Sequence, residues 1–328
     1  MKKAVLAIFV SMVLIFGVFS ANDRGAAYAA KKQFLYAVGG AGATSWVYGM
    51  FSVWAETVNP KLKTEGITYI VQVTAGSRVH TDLYKEGVIQ AGCSSSSRDN
   101  DMWKGLGDHK GKPYKGALLM FPINGTFMHL VTLEDSGFVK FKDLEGKKVA
   151  LGPQGFKSQE VIRSYFSLAG VNSDFVYGDL SECFQMLKEK RVAAVGYTTG
   201  APFSQVLELA ATYKTRLIGL TEEEVQKIAA DSTGSPKFLT PKQYTFLKEP
   251  VRVIAGYQTM DVAADLPEEH VYKTVKATWE NWGEIQKAVA ACKVIGLDDI
   301  PKQFKPYHPG AIRYYEEVGV KIPDKLRP

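Results

Sequence analysis

Glycine and hydroxyl residues recur at four points where an apolar strand gives way to a helix. The first run is Gly39-Gly40-Ala41-Gly42-Ala43-Thr44-Ser45, and the second is Thr74-Ala75-Gly76-Ser77. The third is Gly152-Pro153-Gln154-Gly155-Phe156-Lys157-Ser158, and the fourth is Thr198-Thr199-Gly200 ahead of Ala201-Pro202-Phe203. Glycine lets backbone N–H groups approach a ligand closely. The first N–H groups of a helix lack internal partners, and the helix dipole adds positive potential there. Such turns can hold an anion without a metal. The same residue types also serve as plain helix caps.

Thr44, Ser45, Ser77 and Ser158 are the best-placed hydroxyls. Arg78 and Lys157 stand at helix starts, where a cation is locally unfavourable by the dipole and a bound anion would offset the conflict. Arg78→Ala is accordingly expected to weaken anion binding at least tenfold. Trp46, Tyr48, Phe156, Tyr197 and Phe203 are candidates for an apolar lining. Gly42, Ser95, Gln154, Gly155, Thr198 and Pro202 complete the candidate ligand set. Ser94 to Ser97 with Arg98 read more readily as a surface turn than as part of the site.

No catalytic constellation stands out. The chain has no Gly-x-Ser-x-Gly elbow and no P-loop, and its five histidines lack metal-ligand spacing. Cys93, Cys183 and Cys292 are widely spaced, so at most one disulfide can form and a zinc site is not expected. Cys93 beside its serines reads as a small buried residue rather than a nucleophile. Glu222-Glu223-Glu224 follow Thr221, where a helix start explains them. Neither cofactor nor metal is expected.

These turns need a scaffold of alternating strands and amphipathic helices. Strands are expected at Gln33–Val38, Ile67–Val73, Lys148–Leu151 and Ala193–Tyr197. Helices follow, carrying Met50, Phe51 and Trp54, then Val79 and Leu83, then Ile162 and Phe166, then Val206 and Leu209 at helical spacing. The last expected helix starts at Ala201-Pro202, with proline in its first turn. This is an α/β pattern with ligand loops at the carboxyl ends of parallel strands.

The N-terminus reads as a secretory signal over residues 1–29. Met1-Lys2-Lys3 is basic, Ala4 to Phe19 is almost wholly apolar, and Ala27-Tyr28-Ala29 has the small-x-small form of a cleavage site. An export signal places the protein outside the cytoplasm, in the periplasm. The chain of 328 residues carries a formal charge of +6, and loss of the leader lowers it to about +4. The excess is dispersed, without an arginine-rich run among aromatics, so nucleic acid is not an expected partner.

The order of motifs resembles the TAXI group of TRAP-transporter solute-binding proteins over nearly the whole expected mature chain. The resemblance rests on the Gly39–Gly42 loop, on Thr74-Ala75-Gly76-Ser77, on Asp143-Leu144-Glu145-Gly146-Lys147-Lys148-Val149-Ala150, and on Gly200-Ala201-Pro202. Its most specific element is Tyr307-His308-Pro309-Gly310-Ala311-Ile312-Arg313-Tyr314-Tyr315-Glu316-Glu317-Val318-Gly319. It implies a type II periplasmic-binding-protein fold, with two α/β lobes and a ligand cleft between them. It also implies capture of a small organic anion such as glutamate or 2-oxoglutarate, and delivery to TRAP-type permease subunits rather than catalysis.

The chain departs from the family pattern at Gly155-Phe156-Lys157-Ser158, at Ser77-Arg78-Val79-His80, and at Trp46 and Tyr48. The added cations and aromatics point to an anion with more charge or more apolar surface than glutamate. The expected organisation is lobe 1 from 30–123 and 252–328 and lobe 2 from 124–251, with crossings near Pro122–Gly125 and Val251–Tyr257. Ligand contacts from both lobes would favour a closed form. The alternatives are a sensor that presents its closed form to a receptor, and an enzyme on the same scaffold.

Overall fold

The computed structural model describes residues 32–43, 45–154 and 157–328. The expected leader (1–29), Thr44, Gly155 and Phe156 lie outside the described residues. Gln33–Pro328 form one compact unit.

The chain begins with β1 (Phe34–Gly39), α1 (Trp46–Leu62), β2 (Ile67–Gln72), α2 (Ser77–Lys85), β3 (Ala91–Ser95) and α3 (Ser96–Lys104). The long strand β4 (Ala117–Leu133) follows. Next come β5 (Lys148–Ala150), α4 (Lys157–Ala169), β6 (Asp174–Val176), α5 (Leu180–Lys188) and β7 (Ala194–Thr199). Then come α6 (Ser204–Ala210), β8 (Thr215–Leu217), α7 (Glu222–Asp231) and β9 (Ser235–Leu239). A second long strand, β10 (Val251–Ala263), precedes α8 (Glu268–Glu280), α9 (Trp282–Ala288) and α10 (Pro309–Glu317).

Local chemistry accounts for the helix starts. Ser45 Oγ accepts from Tyr48 N and begins α1, and Ser95 Oγ accepts from Arg98 N and begins α3. Thr221 and Glu224 form a capping box on α7, which gives the triple glutamate its structural role. His308 Nδ1 accepts from Gly310 N, and Pro309 occupies the first turn of α10. The sixth helix differs from its expected start at Ala201. It begins at Ser204, with Phe203 extended as its N-cap and Phe203 N donating to the Tyr244 hydroxyl at 2.7 Å.

All ten described strands form one sheet, in the order β2-β1-β3-β10-β4-β7-β5-β6, with β8 on β4 and β9 on β10. Pairing is parallel among β2, β1 and β3 and again among β6, β5 and β7. The long strands β4 and β10 join these parallel groups by antiparallel pairing. Their own ladder runs from Ala117↔Ala263 to Phe127↔Ala255 and is irregular near Gln258/Thr259 and Met260/Asp261.

The buried apolar side chains fall into two clusters. One gathers Val38, Phe51, Trp54 and Tyr69 with Val271, Tyr307 and Tyr315. The other gathers Val149, Phe166, Val195 and Leu209 with Ile228 and Val253. Along β4, Ile123 belongs to the first cluster and Phe127 to the second; along β10, Tyr257 belongs to the first and Ala255 to the second. The two long strands thus run through both cores.

Candidate functional site

A cavity of about 340 Å³ opens where three helices begin. Gly76 and Ser77 at the start of α2, Ser95 to Arg98 at the start of α3, and Lys157 and Ser158 at the start of α4 all line it. The end of β7 adds Tyr197 and Thr198. The crossing strands add Thr126, paired with Gly256, together with Tyr257 and Gln258.

Why these turns converge is visible in the packing. Gly76, at φ +87°, adopts a backbone conformation that glycine tolerates best, and it lets the chain turn directly into α2. His80 then ties three segments together. Its Nδ1 lies 2.9 Å from the Cys93 carbonyl, which can only accept, so Nδ1 carries the proton. Nε2 therefore accepts from Thr74 Oγ1 at 2.9 Å. A Cβ at Gly39 or Gly92 would come within 2.8 or 2.9 Å of this imidazole, so both strands need glycine where the ring sits. Burial depresses His80 to about 4, so the neutral form persists near pH 7.

Cys93 lines the cavity beside this histidine, yet the pair does not form a nucleophile–base couple. Its Sγ donates to the Gly40 carbonyl at 2.9 Å and lies 3.9 Å from His80 Nδ1. Burial, aided by Asp261, pushes the thiol up to about 12, so it stays protonated. All three cysteines are buried and free. Among the described residues, no group of three or more His, Cys, Asp or Glu is placed to hold a metal ion.

Among the described residues, Arg98 and Lys157 are the charged residues on the cavity wall, and no carboxylate lines it. Arg98 has only 13% of its side chain exposed. Its Nη1 lies 3.6 Å from Asp108, beyond good hydrogen-bond length. Lys157 is differently placed, with its Nζ donating to Asp101 and to Glu160, each at 2.7 Å. Burial alone would lower the ammonium, but these two carboxylates outweigh it and hold Lys157 above its usual range.

Ser77, Ser95, Lys157, Ser158, Tyr197 and Thr198, singled out from the sequence, therefore share one cavity. Their roles differ in detail, since Ser158 Oγ already accepts from Thr198 N at 2.8 Å and Ser95 Oγ caps α3. Gly42, Ser45, Trp46, Tyr48, Gln154 and Pro202 are not on its wall. Ser45 acts as a cap, Trp46 is 40% exposed, and Gln154 and Pro202 face solvent. Phe203 is buried, stacked on Tyr197 behind the wall. Arg78 also lies off the wall, 62% exposed and 3.9 Å from Asp108, because α2 presents it outward.

Arg98, expected in a surface turn, lines the cavity together with Lys157. The serine run hid the change from strand to helix: β3 extends to Ser95, which then caps α3 and turns Arg98 inward. Thr126, Thr233, Tyr257 and Gln258 carried no local signal, because the pairing of distant strands brings them to the site.

A model of the NMT1-like family matches residues 37–319, a span that includes every element lining this cavity. The chain belongs to the NMT1-like family. The NMT1-like chain is also similar to solved structures. One is a putative sulfonate ABC transporter's periplasmic sulfonate-binding protein, SsuA, from Methylobacillus flagellatus KT. It is 12% identical over 88% of this chain and 88% of that chain, with a TM-score of 0.52. Another is XAC2383 from Xanthomonas citri bound to ATP, 10% identical over 87% of this chain and 95% of that one, with a TM-score of 0.51. At such identities the likeness is one of fold, and the fold is the type II periplasmic-binding-protein fold. Among the described residues, no helix of this NMT1-like chain is long and apolar enough to cross a membrane.

Proposed function

We propose that this protein is an extracytoplasmic solute-binding protein that captures a small organic anion and hands it to a membrane permease. The observation that carries this reading is the cavity itself. Three helix starts converge on it and, among the described residues, two cations line it and no carboxylate does. Helix-start N–H groups, dipole potential and a half-buried guanidinium all favour negative charge at one point. The neutral thiol and the fully engaged imidazole leave binding as the better reading than acyl transfer.

Lobes over 30–123 with 252–328 and over 124–251 remain part of the proposal. The change of core cluster along β4 and β10 supports them. In this arrangement Lys157 and Asp101 come from opposite lobes, and their 2.7 Å pair stands beside the cavity. Closure around the ligand brings α3 and α4 together.

For the permease, the sequence motifs favour a TRAP-type partner, and the likeness to a sulfonate ABC transporter's binding protein favours an ABC-type one. Solute uptake by cells carrying the protein separates them. Uptake that collapses with the ion gradient while ATP is maintained supports the first, and uptake that stops on ATP depletion supports the second. The function itself is tested by thermal shift of the purified chain against small carboxylates, sulfonates and neutral sugars. A ligand that binds only the native state raises the melting temperature by mass action. Stabilisation by sugars with no response to any small anion would sink the anion reading.

A further inference from the structure

The geometry points to a ligand with a single anionic head and otherwise neutral polar groups, in preference to a dicarboxylate. This inference rests on the anion-binding reading above. Of the two cations on the wall, Lys157 is already committed: its ammonium donates to Asp101 and to Glu160, each at 2.7 Å. A second ligand carboxylate reaching that ammonium would have to approach both acids and displace one of them. Like charges in a half-buried setting disfavour that arrangement.

Arg98 is in the opposite situation. Its guanidinium makes no hydrogen bond among the described residues, and its nearest acid, Asp108, is 3.6 Å away and 60% exposed. A planar fork of this kind grips one carboxylate or sulfonate in two-pronged fashion. The site therefore offers one full cationic anchor.

The remaining polar wall is uncharged. Thr126, Thr233 and Ser94 bring hydroxyls, and Gln258 brings an amide. Gln258 stands on β10 opposite Ser95, beside the start of the helix that carries Arg98. Its Oε1 is buried without a hydrogen-bond partner among the described residues. A buried acceptor left unpaired is costly, and a hydroxyl or amine next to the ligand's anionic head would relieve it after a small turn of the amide. The chemical class that fits is a hydroxy or amino acid with net charge of at most one.

Isothermal titration of the purified chain with four five-carbon acids tests this: pentanoate, 2-hydroxypentanoate, glutarate and 2-hydroxyglutarate. The expected order places 2-hydroxypentanoate first, at least tenfold tighter than 2-hydroxyglutarate and at least threefold tighter than pentanoate. Asp101→Asn combined with Glu160→Gln is expected to free Lys157 and to narrow the gap between mono- and dicarboxylate at least fivefold. Gln258→Leu is expected to cut the preference for 2-hydroxypentanoate over pentanoate to less than twofold. Diacids that bind the parent as tightly as monoacids overturn the inference and leave the anion receptor standing. Failure of all four acids, with sugars binding, overturns both.

Discussion

Arg98 and Arg78 carry the same charge in similar local sequence, a serine before a helical turn, and do opposite things. Arg98 faces the cavity with 13% of its side chain exposed, and Arg78 faces solvent with 62% exposed. A charge-assisted hydrogen bond in a secluded site is worth about 1.5–3 kcal/mol. Arg98→Ala is therefore expected to weaken binding of the tightest acid by roughly 10- to 100-fold. Arg78→Ala should change the same affinity by less than about threefold, in place of the tenfold loss that sequence alone suggested. Titration calorimetry on both variants reads the two outcomes. The dipole argument that singled out Arg78 and Lys157 is sound physics, but it does not say where a side chain points. Lys157 meets the conflict at its helix start with two carboxylates of the protein's own, whereas Arg98, which the dipole argument does not single out, has only the exposed Asp108 at 3.6 Å.

Helix α3 shows how an element is held at the right angle for its first residues to work. Its Asp99 is buried, accepting from Thr259 at 2.9 Å and from Lys305 Nζ at 2.9 Å. Lys305, fully buried, also donates to Asp261 on β10 at 2.5 Å. Burial and the neighbouring Asp99 carboxylate push Asp261 well above the usual carboxylate range. Lys305 is the shared counter-charge that lets these two acids sit together. Lys305→Met would leave both without it, and breaking a buried pair by removing one partner costs about 3–5 kcal/mol. Urea unfolding of the variant should show a loss of that size; a loss under about 1 kcal/mol would mean that the acids find other partners. None of this was legible from the sequence, because residues 99, 261 and 305 are remote along the chain and only the packing of α3 and the segment at Lys305 against β10 brings them together.

At the scale of the whole molecule, buried histidines link stability to pH. His80 and His129 are each depressed to about 4 by burial, from an unfolded value near 6.5. The unfolded chain takes up those protons first, so this stability is intact above about pH 6.5 and drains as pH falls toward 4. Each histidine contributes up to about 1.4 kcal/mol per pH unit in that window. Between about pH 6.5 and pH 5, His80→Asn should lose about 2 kcal/mol less than the parent, measured by urea unfolding at both values. Equal losses would mean that His80 takes no part in the acid limit. The proposed closure is tested at the same scale. Saturation with a bound acid should lower the radius of gyration by scattering, and Asp101→Asn should raise it in the unliganded protein by removing the α3–α4 pair.

The alternation of strands and helices, the four glycine-and-hydroxyl turns, and the caps at Ser45, Thr221 and His308 were readable in order along the chain, because period, glycine and capping chemistry act over a few residues. So the α/β class came from sequence, and Ser77, Ser95, Lys157, Ser158, Tyr197 and Thr198 do share a cavity, while Gly42, Ser45, Gln154 and Pro202 from the same turns do not line it. The tertiary structure decided which neighbours each of them has. Strand pairing over more than a hundred residues brings Thr126 and Gln258 to the wall, packing turns Arg98 in and Arg78 out, and Asp101 meets Lys157 across 56 positions. Charge balance in a cavity depends on distances below about 4 Å between remote side chains. Local sequence carries no record of such distances, and they follow only once the sheet is assembled.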